Sequence, residues 1–224
     1  MKAILIPIKE PASAKTRLAG LLSAEERRRL AWAMFEDVGR AVSGSRQADR
    51  IVMVTSFAPA IERARQLGWD VLIEESQVSE SVSVDWASSV LSERGFDTVM
   101  RLPADLPLVR SEDIDSLLSI KLGSSGALIV GSRDGTGTNA IIRTPPNLFP
   151  SRFGPNSLAL HRQEAARAGI ECVVVKNSRI ALDIDEPADL QALETGQVTE
   201  TFAALSEMNV FERLERTRTD RMRT

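Results

Sequence analysis

Carboxylates follow apolar segments at two places in the chain where they could bind a cation. Asp105 comes shortly after the mainly apolar residues 99–102 and lies between Pro103 and Pro107. Pro103 would end a buried strand and place Asp105 at the carboxyl edge of a sheet, where open α/β sheets bind ligands. An aspartate beside proline also fits a turn or a helix cap. The local pattern therefore leaves two roles open, metal ligand and turn residue.

The second place holds a pair of carboxylates, Asp183 and Asp185, on either side of Ile184. Residues two apart in an extended segment point the same way, so both carboxylates could face one cation while Ile184 packs into the core. With Asp105 they would supply three hard oxygen ligands, which suit magnesium ions that also bind phosphate. The alternative for Asp185 is to cap a helix that begins near Pro187.

Two cationic side chains, Lys15 and Arg17, lie in the polar segment after the first apolar run, residues 3–8. This segment would reach the same sheet edge as Asp105. Lysine as a point charge and arginine as a fork both suit the oxygens of a triphosphate. Solvated loop charge is the alternative for both. The chain has no Gly-x-x-x-x-Gly-Lys-Ser/Thr pattern, so the site is not a P-loop.

A second group of residues can approach an anion closely: Gly135, Gly137, Gly154 and Ser157. The glycines free backbone amides, and Ser157 stands where a helix should begin, so the group predicts a pocket for a small acid or phosphate. Thr138 could add a donor, although Thr-Asn is also ordinary turn chemistry. His161 would lie one turn inside the helix, where a lone histidine is expected at the surface or in packing rather than on a ligand.

Strand and helix patterns alternate along the chain and would position these residues. Apolar runs predict strands at 3–8, 51–55, 70–73, 98–102, 127–130, 140–142 and 172–175. Helical patterns lie at 23–44, 59–68, 86–94, from 111 onward, at 157–168 and in a tail from 199. This alternation predicts an α/β fold with a mainly parallel sheet, a mixed edge and helices on both faces.

The composition narrows the possible classes of protein. A chain of 224 residues, 43% apolar and 26% charged, fits one globular domain. A net charge of −3 argues against a nucleic-acid-coating surface. No apolar run approaches a membrane span and no signal peptide is seen, so we expect a cytoplasmic protein without membrane partners. The single cysteine excludes an intrachain disulfide.

The order of six short motifs is more specific than any one of them. They are IPIK (6–9), AKTRL (14–18), LPADLPL (102–108), GTGTNA (135–140), FGPNS (153–157) and LDIDEP (182–187). From Met1 to about Leu193 the chain resembles the 2-phospho-L-lactate guanylyltransferase family of deazaflavin coenzyme biosynthesis, including its phosphoenolpyruvate-using members. The resemblance implies a single-domain nucleotidyltransferase fold of the nucleotide-diphospho-sugar transferase type. We therefore place a guanylyltransferase domain at 1–195, and the apolar periodicity from residue 199 predicts a helical tail at 196–224.

The resemblance assigns roles to individual residues. It implies Asp105, Asp183 and Asp185 as magnesium ligands, and Thr138, Gly154 and Ser157 as contacts to the acceptor acid. We further expect Lys15 and Arg17, with Asp105, to be catalytic residues, and Pro7, Lys15, Asp85 and Pro103 to contact the nucleotide. The implied partners are GTP and a small phosphorylated acid, and a homodimer through the tail is a further expectation.

One stretch departs from the family pattern. Where the family often has a Gly-Leu-Asn-type segment, this chain has Glu80 to Trp86, with Asp85 at the asparagine position. The contacts to the nucleotide base and the shape of the acceptor are therefore less well defined by the resemblance. Two other functions stay open at this point: a nucleotidyltransferase for a sugar phosphate or cofactor phosphate, and a nucleotide-binding protein without catalysis.

Overall fold

The computed structural model describes residues 1–10, 15–193 and 198–221, with side chains as far as residue 216. The strands of the described chain are β1 (Lys2–Pro7), β2 (Arg50–Thr55), β3 (Asp70–Ile73), β4 (Thr98–Arg101), β5 (Gly126–Gly131), β6 (Thr138–Thr144) and β7 (Cys172–Val174). They form one sheet in the order β3-β2-β1-β4-β6-β5-β7. The four strands from β3 to β4 are parallel, β6 is antiparallel to β4 and β5, and β7 is parallel to β5. The predicted mainly parallel, mixed sheet is confirmed.

Helices connect and cover these strands. Those of the described residues are α1 (Ala24–Ser43), α2 (Ala58–Gln66), α3 (Glu80–Glu93), α4 (Ser111–Leu118), α5 (Ser157–Arg167), α6 (Pro187–Leu190), α7 (Glu200–Glu207) and α8 (Val210–Arg221). A short 3₁₀ helix (Thr16–Leu18) follows β1. None of the described helices is both long enough and apolar enough to cross a membrane.

Helices pack on both faces of the sheet, and successive side chains of β1 point to these opposite faces. Ile4 belongs to one apolar cluster with Val38 of α1 and Ile114 of α4. Leu5 belongs to another with Val84 of α3. The strand is therefore fixed from both sides, and its carboxyl end is held firmly where the site is built.

The start of α3 differs from the prediction at Trp86. The helix begins at Glu80, because the Ser79 hydroxyl accepts a hydrogen bond from the Val82 backbone N–H at 3.2 Å. Ser83 donates to the buried Glu74 carboxylate, which adds a tertiary contact that local propensity cannot show. The stretch that departs from the family pattern, Glu80 to Trp86, therefore forms the first turns of α3.

The tail forms two helices rather than the single one predicted. Asn209 has a φ of 53°, a left-handed conformation that ends α7 before α8 begins. The buried carboxylate of Asp37 accepts hydrogen bonds from the backbone N–H groups of Glu200 and Thr201, both at 2.8 Å, and so holds α7 on α1. The predicted boundary at residue 195 lies outside the described residues, and the division there stays a prediction.

Candidate active site

A pocket of about 260 Å³ opens at the carboxyl ends of β1 and β4. These strands are parallel neighbours, and β2 and β4 flank β1 on opposite sides, which is the switch point at which open sheets bind ligands. Four predicted residues line it: Pro7, Lys15, Pro103 and Asp105. The predicted position of Asp105 beyond the carboxyl ends of the strands is confirmed.

The ammonium group of Lys15 lies between two of the predicted carboxylates. Its Nζ is 2.7 Å from Asp105 Oδ2 and 2.6 Å from Asp185 Oδ1, and its side chain is only 8% exposed. Burial lowers the pKa of Lys15, but the two carboxylates outweigh this effect and raise the pKa above its usual value. The backbone of Lys15 has a φ of 55°, a strained conformation for a lysine that is typical of functional sites.

The loop that carries Asp183 and Asp185 is joined directly to the loop of Asp105. The Ile184 backbone N–H donates to the Asp105 carbonyl at 3.3 Å, and Ile184 is buried as predicted, although the segment belongs to no strand. Burial alone would raise the pKa of Asp105, but Lys15 lowers it below its usual value. Burial and the nearby Asp105 raise the pKa of Asp183, whose Oδ1 accepts from Asn139 at 3.1 Å.

These carboxylates have the chemistry of a magnesium site without a ready-made cage. In the described part of the chain, no three acidic, histidine or cysteine side chains converge closely enough to hold a metal. Hard carboxylate oxygens are nevertheless the ligands that magnesium prefers. Burial, followed by the charge of Asp105, raises the pKa of Asp183, so a cation beside Asp183 would stabilise its ionised form. The residues present fit a divalent cation, and the ligand assignment stays a prediction.

Arg17 lies beside this group but outside the pocket. Its guanidinium is 3.1 Å from Glu186 Oε1, and both side chains are more than half exposed. The guanidinium therefore lies next to the loop that carries Asp185. Its catalytic role stays a prediction.

The predicted acceptor residues come together where β6 meets α5. Thr138 and Ser157 are both buried, and the Ser157 backbone N–H donates to the Gly154 carbonyl at 3.2 Å. Gly154 has a φ of 121°, a conformation that is essentially restricted to glycine. A Cβ atom there would meet open space, so the glycine serves backbone shape rather than close packing.

The family model described as "Guanylyl transferase CofC like" matches residues 1–223. The chain belongs to this guanylyltransferase family. It is similar to a phosphoenolpyruvate guanylyltransferase from Rubrobacter xylanophilus, with 35% identity over 85% of this chain and 92% of the relative. A 3-phospho-D-glycerate guanylyltransferase from Colwellia psychrerythraea is 32% identical over 85% and 90% of the two chains. A 2-phospho-L-lactate guanylyltransferase from Methanothermobacter thermautotrophicus is 31% identical over 83% and 81%.

Solved structures agree on the fold of this guanylyltransferase. A candidate nucleotide-diphospho-sugar transferase from Desulfovibrio desulfuricans aligns with a TM-score of 0.77 at 20% identity, over 96% of this chain and 97% of the other. The predicted nucleotide-diphospho-sugar transferase-like fold is confirmed. The family and fold together show that the chain is a nucleotidyltransferase.

The predicted nucleotide contact Asp85 lies outside this pocket of the guanylyltransferase. Its carboxylate accepts two 3.0 Å hydrogen bonds from the Ser151 backbone N–H and is 3.3 Å from the buried Arg143. These contacts hold the loop in front of Gly154, on the acceptor side. Nucleotide binding by Asp85 stays a prediction.

Sequence reasoning missed Arg101, the last residue of β4. Its guanidinium is buried, lines the pocket, pairs with Glu80 and donates to the Thr138 carbonyl at 3.1 Å. It also lies 4.2 Å from the centre of the Phe153 ring. Arg101 thus joins the nucleotide-side pocket to the acceptor loops. A charge within an apolar run was the available signal, since buried charges require partners.

Proposed function

We propose that this guanylyltransferase transfers GMP from GTP to a small phosphorylated acid and releases pyrophosphate, with magnesium as cofactor. The candidate acceptors are 2-phospholactate, phosphoenolpyruvate and 3-phosphoglycerate, the acids in the names of its relatives. The observation that carries the proposal is the buried ammonium of Lys15 between Asp105 and Asp185, at the rim of a pocket large enough for part of a nucleotide.

The chemistry needs positioning more than proton transfer. A phosphomonoester is mostly a dianion at neutral pH because its second pKa is about 6, so the acceptor can attack the α-phosphorus without a general base. The main cost is the approach of two anions. Lys15 is held rigidly by two carboxylates and would offset charge on the triphosphate, and Arg17 would meet the leaving pyrophosphate.

Asp105, Asp183 and Asp185 would hold the magnesium. When bound, it would polarise phosphate oxygens and neutralise charge on the pyrophosphate. Asp105 has the further task of holding Lys15 in place. Thr138 and Ser157 would orient the acceptor from the opposite side of the site.

The decisive experiment offers GTP and the three acids in competition to the purified protein with magnesium and follows pyrophosphate release and the guanosine products. We expect one acid to be used preferentially, and Asp105→Asn to abolish turnover. Arms with each other nucleoside triphosphate and with sugar phosphates test the alternative within the same fold. Nucleotide binding without turnover of any acceptor, unchanged by Asp105→Asn, would refute the proposal.

We also propose that the product serves coenzyme F-420 biosynthesis. This placement rests on the family resemblance alone. Deletion of the gene in its host is expected to remove the coenzyme from cell extracts, and complementation with the Asp105→Asn form is expected to fail. The cytoplasmic location and the homodimer stay predictions, and sedimentation of the purified protein tests the second.

A further inference from the structure

The imidazole of His161 is completely buried between the acceptor residue Thr138 and the loop before Gly154. Its Nδ1 is 3.0 Å from the Thr138 hydroxyl oxygen. On its other side, the Arg152 backbone N–H donates to Nε2 at 2.8 Å. The mechanism above gives this histidine no role.

These contacts fix the protonation of the ring. A backbone N–H can only donate, so Nε2 must carry its lone pair, and the imidazole is neutral with its proton on Nδ1. Burial, followed by the charges of Arg143 and Arg101, lowers the pKa of His161 to about 3, which agrees with a neutral ring. His161 therefore stays in one protonation state across the physiological range.

The fixed ring in turn orients the Thr138 hydroxyl. The Ser157 backbone also forms a hydrogen bond with this ring. Because Nδ1 carries a proton, the hydroxyl oxygen 3.0 Å away can accept from it but cannot donate to it, so the proton of the hydroxyl has to point elsewhere. Among the described residues, no other side chain or backbone group forms a hydrogen bond with this hydroxyl. Its proton therefore has no acceptor among the described residues and is left for the acid that Thr138 is predicted to contact.

The same imidazole takes part in holding the acceptor loop. Three successive backbone N–H groups, of Ser151, Arg152 and Phe153, all donate inward to side chains. Their acceptors are Asp85 at 3.0 Å, His161 at 2.8 Å and Ser81 at 2.9 Å. The Phe153 ring also packs edge-on against His161 with centroids 4.8 Å apart. With three anchors, the loop would keep most of its shape if one were lost.

We propose that His161 is a positioning residue of the acceptor site, which fixes the Thr138 hydroxyl as a hydrogen-bond donor to the acid. The inference rests on the proposed function, because it takes Thr138 as an acceptor contact. It adds a residue that touches no substrate and acts on the acid through Thr138.

The first test reads the tautomer directly. His161 is the only histidine in the sequence, so imidazole ¹⁵N spectra of the untagged protein contain the signals of one ring. We expect the Nδ1–H form, which is the minor tautomer of free neutral histidine, with no titration between pH 5 and 8. An Nε2–H ring or a ring that titrates in this range would overturn the proposal without any measurement of activity.

The second test separates the two ring nitrogens. His161→Asn keeps an N–H near the Nδ1 position, whereas His161→Gln keeps an acceptor near Nε2 and loses the donor to Thr138. At saturating GTP, we expect His161→Gln to raise the KM for the preferred acid about tenfold and His161→Asn to change it much less. The KM for GTP should not move in either variant. Thermal unfolding checks that both are folded.

A double-mutant cycle tests whether His161 acts through Thr138. In a Thr138→Val background, His161→Gln should have no further effect on the acceptor KM. Additive effects, or equal increases in the KM values for GTP and acid, would overturn the positioning role. If no acid is turned over, the proposed function fails, and phosphoenolpyruvate titrated against the imidazole ¹⁵N signal becomes the test. A shift that Thr138→Val removes supports the inference, and no shift refutes it.

Discussion

Replacing Lys15 by methionine tests the charge arrangement on which the site depends. The substitution keeps much of the apolar stem and removes the ammonium that lies 2.7 Å from Asp105 and 2.6 Å from Asp185. At an effective dielectric constant of about 20, each contact is worth about 6 kcal/mol of attraction. The dehydration of Lys15 offsets much of this in the parent protein.

The net cost is smaller than the gross attraction. Because the Asp185 side chain is 42% exposed, solvent screens the attraction between Asp185 and Lys15. The variant also leaves Asp105 and Asp185 without the cation between them. We expect the free energy of unfolding at pH 7 to fall by about 2–3 kcal/mol. If Lys15 stabilises the triphosphate as proposed, kcat/KM for GTP should fall about 10²- to 10³-fold.

The pH dependence supplies an internal check. In the parent the pKa of Asp105 is lowered from 3.8, so its stabilisation is present above that pH and is lost as the pH falls through the folded-state pKa. Without Lys15, burial raises the pKa of Asp105 instead. The variant then gains protons on folding, and its deficit should shrink between pH 7 and pH 5.

Urea unfolding at these two pH values, with steady-state kinetics at pH 7, measures both effects. Lys9→Met is the matched control, because Lys9 lines the same pocket but is exposed and has no ion pair among the described contacts. If Lys15→Met is as stable as Lys9→Met at pH 7 and equally active, the electrostatic reasoning is wrong.

Three further substitutions test other parts of the structure. In Gly154→Ala the alanine would be strained at a φ of 121°, although its Cβ would meet no neighbour. We expect the KM for the acceptor to rise about tenfold and the KM for GTP to stay unchanged. Equal changes in both KM values would contradict this. Arg101→Met should lower the free energy of unfolding, measured in urea, by about 2–3 kcal/mol because it leaves Glu80 unpaired. The exposed control Arg50→Met should lower it by less than about 0.5 kcal/mol. Equal losses in the two variants would refute a role for the buried pair. Asp37→Asn places an amide N–H against a backbone N–H of α7 and should lower the free energy of unfolding by about 1–3 kcal/mol; an unchanged urea midpoint would mean that this contact does not hold the tail.

The local patterns of the sequence determined most of the fold. Ser23 just before α1 and Glu26 in its first turn have the spacing of a capping box, and both bonds are present: Glu26 N–H to Ser23 Oγ at 3.3 Å, and Ser23 N–H to Glu26 Oε2 at 2.7 Å. Apolar runs predicted the strands, and the proline after β4 predicted the edge on which Asp105 lies. These features depend on neighbours within a few residues, so one sequence is enough to reveal them.

Only the tertiary structure decided which side chains act on one another. Lys15 reaches carboxylates 90 and 170 residues away in the chain, and His161 binds a hydroxyl 23 residues away and a loop amide 9 residues away. A sequence pattern gives the chemistry of a residue and its place on a strand or helix. It does not give the direction of a side chain across a loop, because packing of distant segments sets that direction. For this reason the three aspartates were predicted as a group, while the lysine between two of them and the histidine behind Thr138 came from the fold.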